Sequence, residues 1–187
     1  MRSNEAEWEH LALDHLAGIG WQHLEGPEIA PGATSTVGHP GYATGGEPLP
    51  QRESWDEVVI PSRVRAALRR LNPDVPRDYL EQALVEILRP TSQDAITENK
   101  RVHDVLVEGY RGITYVEDGR QQTPTIRLVS SREDENEWLA VNQVRVVDGD
   151  VERRFDVVLY STACRSWSWS SRTPEARGLT SPPRTRS

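Results

Sequence analysis

Cysteine is nearly absent from this chain of 187 residues, in which Cys164 is the only one. A single cysteine excludes an internal disulfide framework and a cysteine-rich zinc site. None of the five histidines stands at zinc-ligand spacing from Cys164, so we interpret them as surface or helix-face residues. The chain also lacks a Walker A sequence, a signal peptide and a long apolar run. We therefore expect no ATP site, no membrane segment and a reducing cytoplasm as its location.

Lysine is equally rare, since Lys100 is the only one among 22 lysines and arginines. A GC-rich genome that prefers arginine codons explains this without an adaptation for binding anions. The formal net charge is -7, and the segment after Tyr160 holds five arginines and one glutamate, so the preceding body is more acidic still. An acidic body argues against a broad phosphate-binding surface but allows a local basic cleft.

At this length the chain can form one domain with a real core. Residues 1–25 predict a helix, opened by capping-box spacing between Asn4 and Glu7, and then a short strand over residues 21–24. Residues 26–53 are rich in Gly, Pro, Ser and Thr and predict a long exposed loop. Residues 54–109 predict three helices, which begin near Pro61, Pro76 and Thr97.

The period changes to two over residues 110–160. Residues 113–117 and 125–129 predict one hairpin, with its turn at Asp118-Gly119, and residues 138–147 and 151–160 predict another. Helices followed by antiparallel strands indicate an α+β fold. Residues 161–187 have no apolar period, so we expect an irregular tail that leaves the last strand as an exposed edge.

Asp156 enters a strand that is apolar at nearly every position from 155 to 160, and we expect that strand to be buried on both faces. An ionised aspartate is seldom buried without a partner or a metal ion. Either Asp156 forms an ion pair with Arg153 or Arg154 at the strand entrance, or it belongs to a metal site.

Six pieces of the chain occur in an order and spacing that resemble a known family. They are EAEWEHLALDHLAGIGW at residues 5–21, RAALRRLNP at 65–73, NKRVHDVLVEG at 99–109, IRLV at 126–129, WLAVNQ at 138–143 and RRFDVVLY at 153–160. Together they resemble the N-terminal region of the restriction (R) subunit of type I restriction-modification enzymes. The resemblance covers most of residues 5–160.

The resemblance implies an incomplete restriction-endonuclease-like core of the PD-(D/E)xK type. In such nucleases an Asp on one strand and Glu-x-Lys on the next hold Mg²⁺ and a water at the scissile phosphate, because hard oxygen ligands suit this ion. Asp156 takes the catalytic and metal-binding Asp role, although Phe155 stands where the family has proline. Glu9 is the first candidate for a supporting carboxylate from the first helix, and Glu5 is the second. A solvated helix face is the alternative for both.

The Glu-x-Lys pair itself is missing, since Ser170 and Arg172 stand where it is expected. A frameshift accounts for this. Tryptophan has one codon, so reading one base earlier turns Trp167 and Trp169 into Leu, Met or Val, and Ser168 and Ser170 into Val or Glu. With suitable codons for the other residues, the shifted frame reads Asn-Gly-Leu-Pro and then Glu-Leu-Lys. We therefore interpret residues 161–187 as frameshifted sequence.

The resemblance implies ATP-dependent translocation and cleavage of unmodified DNA, in complex with modification and specificity subunits. The family's ATP site lies further along a full-length subunit. We expect this chain to be an N-terminal fragment that is inactive as it stands. The alternatives are a non-catalytic module that docks on the partner subunits, or a gene remnant.

The frameshift makes a genetic prediction. The adjacent frame after Tyr160 should encode Asn-Gly-Leu-Pro, then Glu-x-Lys, and continue into a helicase-bearing open frame. Sequencing of the gene around this codon tests it, and the absence of such a frame would end the idea.

Overall fold

The computed structural model describes residues 3–33, 52–162 and 164–169 of the chain. Its helices are α1 (Ser3–Gly18), α2 (Pro61–Leu71), α3 (Arg77–Leu88) and α4 (Ala95–Glu108). Its strands are β1 (Gln22–Glu25), β2 (Tyr115–Glu117), β3 (Arg120–Gln122), β4 (Trp138–Asp148), β5 (Val151–Ser161) and β6 (Cys164–Trp169). This arrangement confirms the predicted α+β fold. No helix in the described part of the chain is long and apolar enough to cross a membrane.

The main sheet has the strand order β1-β4-β5-β6. The second predicted hairpin is confirmed, because β4 and β5 pair antiparallel from Trp138↔Ser161 to Asp148↔Val151. The short strand predicted after the first helix also forms, but it pairs parallel to β4, from Gln22↔Leu139 to Glu25↔Asn142. No partner was predicted for this strand, and its parallel pairing makes the sheet mixed. A parallel neighbour is possible because the long connection through α2, α3 and α4 separates the two strands.

The hairpin predicted over residues 113–129 is confirmed only in part. Its turn is confirmed, with positive φ at Asp118 (49°) and Gly119 (73°). Its second strand was placed wrongly, because β2 pairs with the residues directly after the turn, from Tyr115↔Gln122 to Glu117↔Arg120. Ile126 and Leu128, which carried the prediction, are buried in the core instead. Their burial produced the strand-like pattern.

Two apolar clusters cover opposite faces of the main sheet. The larger one joins Leu139, Val141 and Val158 of the sheet to apolar residues of α2 and α3, among them Val64, Leu68, Leu80, Ala83 and Leu84. The smaller one joins Leu13 and Leu16 of α1 to Ala140 and Val157. The sheet is thus covered by α2 and α3 on one face and by α1 on the other.

Buried polar side chains fix the connections around this core. The Asn72 amide, at the end of α2, donates to the carbonyls of Leu68 and Arg127 at 2.8 Å each. Its oxygen accepts from the Arg127 N–H at 2.8 Å. The Arg63 guanidinium, 1% exposed, forms an ion pair with Glu137 just before β4. These contacts hold α2 against the segments that lead into the sheet.

The chain remains ordered past Tyr160, where the sequence analysis expected an irregular tail and an unpaired β5. Strand β5 extends to Ser161, and β6 pairs with it antiparallel from Val157↔Trp169 to Ser161↔Cys164. The expectation was wrong for residues 161, 162 and 164–169. Backbone hydrogen bonding along the free edge of β5 needs no apolar period in the added strand. The expectations for residues 170–187 and for most of the 26–53 loop lie outside the described residues.

Asn72→Ala tests the polar anchor at the end of α2. The change removes three hydrogen bonds and leaves the partly buried backbone N–H and carbonyl of Arg127 without that partner, so the free energy of unfolding should fall by about 1–3 kcal/mol. Urea denaturation measures it. Gln82→Ala is the control, since Gln82 is exposed and bonds only to Glu86 through its side chain. Equal stability of the two variants would contradict the prediction.

Candidate active site

Helix α1 directs Glu9 towards the sheet. Leu13, one helical turn later on the same face, is 4% exposed and packs against Ala140 and Val157. Glu9 is half-buried, whereas Trp8 and His10 beside it are exposed. The apolar contacts of Leu13 therefore hold the face of α1 that carries Glu9 against the outer face of β4 and β5.

The alternation of side chains along β4 and β5 reverses at one level of the sheet. In β4, Val141 and Val144 both pack into the larger cluster although they are three residues apart, and in β5 the same holds for Phe155 and Val158. The backbone of Gln143 has φ of 55°, in the left-handed region. The register is the same on both sides, with Asn142↔Val157 and Val144↔Phe155. Gln143 and Asp156 lie between these two pairs, so they stand opposite each other at the interruption.

Glu9 and Gln143 are directly connected across these elements. The Nε2 of Gln143 donates to Oε1 of Glu9 at 2.9 Å and to Oε2 at 2.8 Å. Both residues are half-buried. A side-chain amide that serves both oxygens of one carboxylate restricts the rotation of that carboxylate.

Gly26 allows this part of β4 to approach the end of β1. A Cβ added at Gly26 would lie 2.2 Å from the carbonyl oxygen of Gln143 and 2.8 Å from its carbonyl carbon. Only glycine permits such close contact without a shift of the backbone. Next to it, His23 Nε2 lies 3.1 Å from Asn142 Oδ1. The end of β1 thus supports β4 on the same side as Glu9.

Asp156 lies at the boundary between the exposed and the buried half of β5. Residues 151–154 are exposed, whereas Val157, Val158 and Tyr160 are buried. Val157 packs on the α1 face and Val158 on the opposite face, so both faces of the strand are covered there, as predicted. Asp156 itself and Phe155 are half-buried. The metal-binding role of Asp156 and the ion-pair alternative both stay predictions.

The sequence analysis named Glu9 and Asp156 separately, and the fold brings Glu9 onto Gln143, the residue opposite Asp156. Glu5 lies in α1, and its side chain is outside the described residues. In the described part of the chain, no three His, Cys, Asp or Glu residues form a group that could hold a metal ion. Glu9 and Asp156 thus supply at most part of an Mg²⁺ site.

No role was predicted for Gln143 or Gly26. Gln143 lies in the quoted piece WLAVNQ, where two polar residues in succession interrupt the apolar alternation between Val141 and Val144. That interruption was the available signal. Gly26 had none, because its importance depends on a contact with a residue far along the chain.

Comparison with known proteins decides the family. Residues 2–162 match the family model described as type I restriction enzyme R protein N terminus. The chain belongs to this family. The expected resemblance to the N-terminal region of a type I restriction endonuclease R subunit is therefore confirmed.

Among curated proteins, the chain resembles the type I restriction enzyme HindI endonuclease subunit of Haemophilus influenzae. The two are 26% identical over 144 residues, which cover 76% of this chain and 12% of the relative. No solved structure matches the chain. The R protein N-terminal region described here thus corresponds to a small part of a long subunit.

Gly26→Ala tests the contact between the end of β1 and Gln143. The added methyl group would overlap the Gln143 carbonyl, so the free energy of unfolding should fall by about 1–3 kcal/mol. Gly18→Ala is the matched control, because no atom lies within 4 Å of its added Cβ. Urea denaturation of both variants measures the difference, and similar stabilities would show that the close approach is not needed.

Proposed function

We propose that this chain is the nuclease end of an R subunit that, when complete, hydrolyses unmodified DNA. Asp156 and Glu9 would be its carboxylates, and Mg²⁺ its metal ion. The main support is the convergence of α1, β4 and β5 at one level of the sheet, where Glu9 meets Gln143 and Gln143 stands opposite Asp156. A helix that carries a carboxylate onto the strand pair holding an aspartate agrees with the role that the family resemblance implies.

The site is incomplete in this chain. Bound Mg²⁺ would lower the pKa of a water molecule and neutralise charge that develops on the phosphate. The described residues offer no third carboxylate for it, and a magnesium site normally takes one or two carboxylates together with substrate phosphates in a shaped cavity. We therefore expect the chain to be inactive as it stands.

The pairing of β5 with β6 supports the proposed position of the missing glutamate. The register runs Leu159↔Trp167, Val158↔Ser168 and Val157↔Trp169. In the nucleases that the chain resembles, the aspartate lies on one strand and Glu-x-Lys follows on the next. β6 is the strand that follows β5 and pairs with it. Ser170, where the sequence predicts the missing glutamate, comes directly after β6 in the sequence.

The first test is DNA cleavage. The purified chain should not cut plasmid DNA with Mg²⁺, with or without ATP, because it lacks both the glutamate and the lysine of the Glu-x-Lys pair. Loss of such charge stabilisation costs about 4 kcal/mol or more, several orders of magnitude in rate. A chain with the reading frame restored after Tyr160 should cut, and Asp156→Ala should abolish that activity. Mg²⁺-dependent cleavage by the unchanged chain, lost in Asp156→Ala, would show that its catalytic partners lie elsewhere.

A second candidate function is a non-catalytic module that docks on the modification and specificity subunits. Exposed apolar side chains favour it. Trp8 of α1 and Ile19, directly after α1, are 59% and 73% exposed, and Ile96 and Val107 of α4 are 81% and 70% exposed. Isolated exposed apolar residues are common, whereas several on one helix suit a contact surface. Co-purification with the two partner subunits, weakened by Ile96→Ser or Val107→Ser, would favour this function. Failure to co-purify would favour the remaining alternative, that the chain is a gene remnant without function.

A further inference from the structure

We propose that Gln143 is the positioning residue that holds the Glu9 carboxylate at the level of Asp156. This inference rests on the nuclease function proposed above. It starts from the backbone. A glutamine with positive φ inside a strand is strained, and such a conformation persists only where its surroundings fix it. Here the surroundings are the paired residues on both sides of Gln143 and the close backbone of Gly26.

The strained conformation has a specific consequence for the side chain. In a regular strand, Val141 and Val144 would lie on opposite faces of the sheet, because they are three residues apart. The interruption adds a residue on the α1 side, and the Gln143 amide reaches Glu9 there at 2.8 and 2.9 Å. Without the left-handed residue, β4 would keep its alternation and lose this side chain from the α1 face. The strain and the contact with Glu9 are thus two parts of one arrangement.

Glutamine is a suitable residue type for positioning the Glu9 carboxylate. A carboxylate only accepts hydrogen bonds, and a primary amide nitrogen can donate two, so one glutamine serves both oxygens of Glu9. The two oxygens together offer about four acceptor sites, so others stay available to a cation. A lysine or arginine here would bring a positive charge that competes with such a cation. Glutamine therefore orients Glu9 and leaves its negative charge in place.

Three substitutions separate the parts of this proposal. Gln143→Asn keeps a residue that tolerates positive φ but shortens the side chain by one methylene, so it should lose Glu9. Gln143→Glu keeps the length but replaces the donor with a second carboxylate. Gln143→Gly relieves the backbone strain and removes the amide. Gln82→Asn, which alters an exposed amide on α3, is the control.

The first measurement concerns the chain alone. Three-bond NMR couplings should show one dominant side-chain rotamer of Glu9 in the parent and in Gln82→Asn, and rotamer averaging in all three Gln143 variants. Unfolding midpoints should show that Gln143→Asn and Gln143→Gly remain folded. A Glu9 rotamer distribution that is the same in the parent and in folded Gln143→Asn would overturn the proposal.

The second measurement concerns the metal ion, with Mn²⁺ as the probe and electron paramagnetic resonance as the readout. Ser170→Glu combined with Arg172→Lys should bind Mn²⁺ more tightly than the parent chain, and Asp156→Ala should remove the gain. In this background Gln143→Asn should weaken binding about tenfold. In a chain that also carries Glu9→Ala, Gln143→Asn should not weaken Mn²⁺ binding further, because Gln143 then has no carboxylate to position.

The outcomes distinguish the two proposals. If Ser170→Glu with Arg172→Lys gains no affinity for Mn²⁺, the arrangement proposed for the nuclease site fails, whatever the couplings of Glu9 show. If the gain appears and depends on Asp156 but Gln143→Asn leaves it unchanged, the nuclease site stands and the positioning role of Gln143 is overturned. The positioning role would also be overturned if Gln143→Asn weakened Mn²⁺ binding equally in the chain with Glu9 and in the chain with Glu9→Ala.

Discussion

The antiparallel pairing of β4 with β5 is the interaction on which the other elements depend. It runs over eleven residues of each strand, it carries β1 on one edge and β6 on the other, and its two faces receive α1 on one side and α2 with α3 on the other. Its interruption at Gln143 changes which face each later side chain occupies. This reversal brings the Gln143 side chain to the α1 side, and the register of the pair is the same before and after it.

The buried polar contacts serve a different purpose from the apolar clusters. Arg52, 1% exposed, donates to the carbonyls of Ile29, Glu57 and Arg145 and so ties three separate segments together. Burial lowers the pKa of its guanidinium. Arg63 with Glu137 and Asn72 with Arg127 act similarly at the other side of the core. Apolar burial drives the layers together, whereas these directional bonds determine where the long connections attach.

The order of β6 changes the interpretation of the chain's last part. A frameshifted peptide and the family's own sequence can both supply backbone donors and acceptors to the edge of β5, because pairing makes few demands on side chains. Chemistry makes strict demands, since a nuclease site needs particular carboxylates and a lysine at particular positions. Pairing of a strand with the edge of β5 is therefore no evidence for or against the proposed nuclease activity.

Local signals in the sequence were sufficient for several elements. The proline that opens α2, the proline before α3, the glycine after α4 and the Asp-Gly turn of β2 and β3 act within a few residues, so the sequence alone could predict them. The alternation of β4 and β5 was clear for the same reason, and the separate pieces around Glu9 and Asp156 already pointed to the family. The second strand of the first hairpin failed because burial of Ile126 and Leu128 in the core imitates a strand pattern.

The tertiary structure alone decided how these pieces meet. The parallel pairing of β1 with β4, the hydrogen bonds from Gln143 to Glu9 and the close approach of Gly26 to Gln143 all join residues more than a hundred positions apart. Such contacts have no local period that a sequence could display. Residue types and spacing determined which elements form and which family the chain resembles. The packing of α1 and β1 on β4 determined that Glu9 is bonded to the residue opposite Asp156, because only the fold brings distant positions within hydrogen-bond distance.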